Sequence, residues 1–200
     1  MLATILSWIA VILLLATSTG LILNRDWRWD LGLLAAQYVG IFILVAQHWP
    51  IGMSAVKLVT GWMATAALGM TLNAFPIHEE SLGQFWPSGR AFRLFMVGMI
   101  VVLTIAVTSR IENLIPGIGL PVVAGGILLI GNGMLHLGTS SEVTRVIYAL
   151  LTILAGFETI YAGVESAILV AALLAVITLG LGLTGAYLIN AALTPEEESM

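Results

Sequence analysis

Not one charged residue stands between Met1 and Asn24. A helix needs about 20 mostly apolar residues to cross the hydrocarbon layer of a bilayer, and this first run is long enough. Comparable runs recur down the chain, cut by charges and turn residues at close to that interval. Leu31 to Ala46 reads as helix 2, closed by His48, Trp49 and Pro50, and Ile51 to Asn73 as helix 3, with Lys57 inside it. Leu94 to Thr108 reads as a short helix 4, flanked by Phe92 and Arg93. A loop with Pro116 and Pro121 leads into helix 5, Leu120 to Leu137. The stretch from Glu142 to Leu193 would be about 75 Å long as one helix, far beyond a bilayer. It divides into helix 6, Val143 to Ala162, and helix 7, Ala167 to Asn190, with the turn near Gly163 to Ser166.

The expected fold is therefore an all-α integral membrane protein of seven spanning helices, or six if helix 4 does not span. Composition excludes the main alternatives. Apolar residues supply 60% of the 200 positions and charged residues 9%, against about 25% charged in soluble domains. That rules out a soluble enzyme and a disordered chain. Barrel strands would alternate at every second residue, and these runs do not. The absence of cysteine removes disulfides, Cys-ligated zinc and Cys-ligated iron–sulfur clusters. A net charge of −4 leaves no basic footprint for nucleic acid. Helix 1 is expected to be retained rather than cleaved, because it lacks a basic n-region and its apolar run is too long for a signal peptide.

Seven helices place Arg25, Arg28, Arg90, Arg93 and Arg145 on one face of the membrane and Arg110 on the other. By the positive-inside rule the N-terminus is outside and the C-terminus cytoplasmic. Glu196, Glu197 and Glu198 then form a short acidic cytoplasmic tail over 195–200, a placement that the rule permits. Trp27, Trp29, Trp49, Trp62, Trp86, Tyr38 and Tyr187 read mainly as an interfacial aromatic belt. Phe85-Trp86-Pro87 lies in the longest polar connection, Ala74 to Arg90, and reads either as an interfacial segment or as a docking surface for a neighbouring subunit. Glycines at 125, 126, 131 and 133 in helix 5 and at 180, 182 and 185 in helix 7 read as helix-packing faces, within or between subunits.

A charge inside a span costs about 2.5–3.5 kcal/mol on insertion scales, so each one calls for a reason. Lys57 lies about 9 Å into helix 3, and Glu158 about 6 Å from the same side in helix 6. The two opposite charges thus share a depth in the outer half. Lys57 either snorkels to the headgroups or pairs. Glu158 is short and set in an apolar segment, which favours a buried pair or a functional role. Glu165 shares the Glu158 face if helix 6 persists that far, and is otherwise interfacial. His48 and His136 read as helix-end residues, since no second ligand stands at metal-binding spacing. No cofactor or metal is implied.

The segment Gly156-Phe157-Glu158-Thr159-Ile160-Tyr161-Ala162-Gly163-Val164-Glu165 resembles the second-helix motif of the K subunit of NADH-quinone oxidoreductase. A Gly-rich helix precedes it, a Ser-Ser-Glu-Val-Thr-Arg connection intervenes at 140–145, and a long apolar helix follows. The likeness covers Leu120 to Asn190. With four helices ahead of it and a lysine in the third, the chain also resembles component E of the membrane-bound hydrogenases, with Lys57 matching that family's lysine. The resemblance implies a four-helix region at 1–110, a K-subunit-like three-helix region at 111–194, and a place among other membrane subunits, some of them antiporter-like. Residues Ala167 to Thr194 hold no second glutamate, so the resemblance makes Glu165 the candidate second carboxylate.

The function expected on these grounds is that of a membrane-arm subunit of a complex-I-like or hydrogenase-like assembly, in a bacterial or archaeal cytoplasmic membrane. Glu158, Lys57 and Glu165 would contribute to proton or sodium translocation, and the chain would not be a catalyst by itself. The rivals are a structural subunit, in which the charges only join helices, and a small stand-alone transporter. No internal repeat favours the transporter, and no catalytic motif favours an intramembrane enzyme.

Overall fold

The computed structural model describes residues 2–24, 26–74 and 89–193. Arg25, the Phe85-Trp86-Pro87 segment and the acidic tail lie outside the described residues. The described residues form seven α-helices: α1 (Leu2–Leu23), α2 (Trp27–Val45), α3 (Ile51–Ala74), α4 (Arg90–Leu114), α5 (Leu120–Thr139), α6 (Val143–Val164) and α7 (Ile168–Leu193). All seven are long and apolar enough to cross a bilayer. The chain is an all-α integral membrane protein.

Helix α4 is the main departure in length. Its apolar run from Leu94 to Thr108 is extended at both ends, by Arg90 to Arg93 and by Ser109 to Leu114, to 25 residues. Charged residues bound the apolar stretch without ending the helix, because a long Arg stem lies along apolar surface while its head reaches polar partners. Arg93 does this with its guanidinium, which donates to the Ile22 carbonyl at 2.9 Å and satisfies an end group of α1. Helix α2 also begins earlier than its apolar pattern. Asp26 is its N-cap and accepts from the Arg28 amide at 3.0 Å, so Asp30 falls in the first turn.

Turn chemistry fixes two connections. In Ile115-Pro116-Gly117-Ile118-Gly119 the glycines take φ of 99° and 81°, a region that side-chain-bearing residues rarely adopt. Pro121 then sits at the start of α5, where its missing N–H costs no helix bond. The break between α6 and α7 has no proline. Glu165 turns extended and caps α6, and its freed carbonyl accepts from Trp49 Nε1 at 2.8 Å.

Helix α5 packs along α6, α3 along α7, and α1 against both α2 and α5. The α5–α6 contact is backbone to backbone: a Cβ on Gly156 would stand 2.7 Å from the Gly126 carbonyl oxygen. One apolar core draws on both sequence regions, including Leu14, Leu34, Leu68, Val123, Leu151 and Ile189. Helix α4 lies at the edge, with Val97, Thr104 and Thr108 buried.

Two members of the expected aromatic belt are core residues. Tyr38 is buried mid-helix with its ring over Gly61, where no Cβ stands in the way. Trp49 is buried edge-on to Tyr161, with ring centroids 6.5 Å apart. Trp29 and Tyr187 are exposed near helix ends. Trp62 is also exposed but lies mid-helix in α3, donating to the Ala35 carbonyl at 3.1 Å.

Candidate functional site

The buried face of α3 runs Ser54, Lys57, Thr60, Gly61, Ala64 and on to Leu68, at helical spacing. That of α6 includes Tyr148, Leu151, Thr152, Ala155, Glu158 and Ala162. These faces turn Lys57, the chain's single lysine, and Glu158 toward each other. The Lys57 ammonium and Glu158 Oε1 form a direct ion pair. Both residues are nearly inaccessible, at 3% and 1% exposure, so Lys57 does not snorkel out of the bundle.

Helix α7 closes the site. Thr178, fully buried, donates to the Leu174 carbonyl at 2.9 Å and stands 3.3 Å from Glu158 Oε1. A single hydroxyl proton is shared between those acceptors. Among the described residues Glu158 Oε2 has no hydrogen-bond partner. Tyr38 of α2 packs its ring over Gly61, one turn along α3 from Lys57. The arrangement offers an anionic oxygen pair, a cation and a hydroxyl in a low-dielectric setting. It suits proton exchange, or the displacement of the ammonium by a small cation. Among the described residues no three His, Cys, Asp or Glu side chains converge on a metal site.

Glu165 does not join the pair. Helix α6 ends one residue before it, so its side chain leaves the Glu158 face. It is exposed and accepts from the Ser166 amide at 3.1 Å. Its connection to the neighbourhood is through its backbone, by way of Trp49. His136, placed near a helix end by its sequence, is in the last turn of α5 and 3% exposed, with Nε2 unpartnered among the described residues.

Sequence reasoning missed a second set of polar residues. Asp30 is 3% exposed and accepts from Asn24 Nδ2 at 3.0 Å. Gln37, fully buried, donates to Thr152 Oγ1 at 3.3 Å, joining α2 to α6. Asn132 donates to Ser18 Oγ at 2.8 Å, joining α5 to α1. Two signals pointed to these positions. Asp26 at the N-cap with Asp30 in the first turn is an N-terminal capping pattern, and an amide within an apolar span is a helix-joining residue.

Among known protein families, curated proteins and solved structures, none matches this chain.

Proposed function

We propose that this chain is a membrane-arm subunit of a complex-I-like or hydrogenase-like assembly, in which the Lys57–Glu158 pair takes part in translocating protons or sodium ions. The observation that supports the reading is the pair itself, buried between spanning helices and completed by Thr178. Stability alone is a poor reason to keep it. Replacing a buried ion pair by well-packed apolar groups is often neutral or stabilising, by about 1–4 kcal/mol. Ionisable groups within a membrane commonly mark ion and proton pathways. A Lys and a Glu in contact also titrate as a coupled unit, so a proton arriving at one changes the state of the other.

The resemblance of Gly156 to Glu165 to the K-subunit motif supplies the assembly, and with it antiporter-like neighbours. Glu165, exposed at the α6–α7 turn, is the group that would meet water or a neighbouring subunit. The arginine asymmetry supports one orientation. Arg28, Arg90, Arg93 and Arg145 lie at helix starts on one end of the bundle and Arg110 near the end of α4 on the other, which by the positive-inside rule supports the reading of an N-terminus outside a bacterial or archaeal cytoplasmic membrane.

The test is ion translocation in membrane vesicles whose complexes carry Glu158→Gln, Lys57→Met or both. Translocation falls in all three if the pair conducts. Normal translocation by the double variant makes the pair a structural joint only, and full translocation by Glu158→Gln overturns the role of that carboxylate.

A further inference from the structure

Helices α3 and α6 stand apart, each packed on α2 and α7. Lys57 and Glu158 reach across the space between them. Helix rise puts each about 9 Å from the nearer end of its helix, Lys57 from Ile51 and Glu158 from Val164. The far ends of both helices are more than about 20 Å away. In that direction the space is filled. Tyr38 packs over Gly61, Gly182 lies against Ala64, and Leu68 and Leu151 are fully buried beyond them. The short way out of the site runs past Ser54, fully buried one turn from Lys57 on the same face of α3.

Trp49 stands across that way. It precedes α3 by two residues and is 4% exposed. Its ring meets that of Tyr161, one turn beyond Glu158 on α6, at 83° with centroids 6.5 Å apart. Its Nε1 donates to the Glu165 carbonyl at 2.8 Å. One side chain thus joins the start of α3 to the end of α6, on the side of the ion pair where the helix ends are near. The residue it holds begins a non-helical turn: Glu165 is extended, and α7 starts only at Ile168. Among the described residues the Trp49 bond is the side-chain hydrogen bond that ties this turn to another part of the chain, since Glu165 Oε1 accepts from the neighbouring Ser166 amide. A belt tryptophan leaves its polar edge at headgroup level, whereas here the ring and its N–H are both engaged inside the bundle.

We infer that Trp49 is the closure of the Lys57–Glu158 site at the α6–α7 end of the bundle, and that water and ions reach the pair from that side only when its bond to the Glu165 carbonyl opens. The inference rests on the reading of the pair as an ion-exchanging site, which needs an entrance. A single hydrogen bond holds the indole to the turn, so the open form stays within thermal reach. Releasing it frees the turn at 165–167 without unwinding α3 or α6. The contacts of the pair itself, including that with Thr178, do not involve Trp49 and survive the opening.

The test is thiol labelling of the full chain in vesicles that hold it in one orientation. The chain has no cysteine of its own, so Ser54→Cys and Thr65→Cys each report one buried depth, the second about 16 Å further along α3. The probe is 2-aminoethyl methanethiosulfonate, added on the α6–α7 side and read by mass spectrometry. With Trp49 intact, Ser54→Cys should react slowly. Trp49→Phe keeps a ring and deletes the bond, and labelling of Ser54→Cys should then rise about fivefold, the open population gained by losing one hydrogen bond. Trp49→Leu also thins the closure and should raise the rate further. Thr65→Cys should keep its rate in both backgrounds. Fast labelling of Ser54→Cys beside an intact Trp49, or an unchanged rate in both Trp49 variants, overturns the closure. So does an equal acceleration of Thr65→Cys, the mark of a loosened bundle. None of these rates depends on ion translocation, so the closure can fail while the pair conducts. Full translocation by Glu158→Gln overturns instead the reading of the pair, whatever the labelling shows, and leaves no entrance to close.

Discussion

Cutting the Lys57–Glu158 pair from one side should cost the fold more than removing both halves. Glu158→Gln keeps the side-chain shape and the Thr178 neighbour but strands the Lys57 ammonium at 3% exposure. Lys57→Met keeps most of the stem volume but strands a carboxylate whose Oε2 already lacks a partner. Breaking a buried pair in this way costs ~3–5 kcal/mol. A stranded group escapes part of that by neutralising, and insertion scales put a single charge in a span nearer ~2.5–3.5 kcal/mol. The double variant holds no charge at the site, so its cost should be close to zero, since neutral replacements of similar volume are tolerated.

The two single costs therefore exceed the double cost by at least ~3 kcal/mol. That is several times the ~0.3–0.5 kcal/mol scatter expected of independent sites. Reversible unfolding in mixed micelles, titrated with a denaturing detergent, measures all four corners of the cycle. If the single effects sum to the double effect within that scatter, the two side chains do not depend on each other, and the description of the site as one coupled unit is refuted.

The other predictions concern packing and orientation. A Cβ on Gly182 would stand 2.7 Å from Ala64 Cβ and 2.9 Å from Ala64 Cα, whereas Gly180 has open space. Gly182→Leu should lower stability by ~1–3 kcal/mol and Gly180→Leu should leave it almost unchanged, as read by thermal unfolding in detergent. Trp49→Phe keeps most of the ring but deletes the bond to the Glu165 carbonyl; a loss of ~1 kcal/mol and faster amide exchange at the α6–α7 turn are expected. A cysteine placed beside Arg90 should resist an impermeant thiol reagent in intact cells, and ready labelling there would reverse the proposed orientation.

The number of helices and most of their ends were legible because charges and turn residues punctuate the apolar runs. The α6–α7 break was legible from length alone, since one helix could not fit the bilayer. The reason for its position was not, because it depends on Trp49, more than a hundred residues away in sequence. Hydropathy also misplaced the start of α2. It treats Asp30 as a boundary, whereas the capping of Asp26 carries the helix outward past it and turns its carboxylate inward. Tyr38 and Trp49 were misread for a related reason. An aromatic with a polar edge suits an interface, but the same ring packs in a core where a glycine such as Gly61 leaves room, or where a carbonyl such as that of Glu165 needs a donor.

The pair itself was legible as two charges at one depth, and that limit is instructive. Depth follows from sequence because helix rise is constant. Azimuth does not, because it depends on which helices become neighbours. Helices α2 and α7 each pack against both α3 and α6, and it is across the space between them that Lys57 reaches Glu158. A short acidic side chain on α6 meets a long basic one from α3, which is the combination that spans such a space. Two short side chains would leave it open, and two apolar ones would fill it without charge. The presence of a lysine and a glutamate there, with a threonine from the third helix turned toward them, is what gives the site a chemistry and not only a shape.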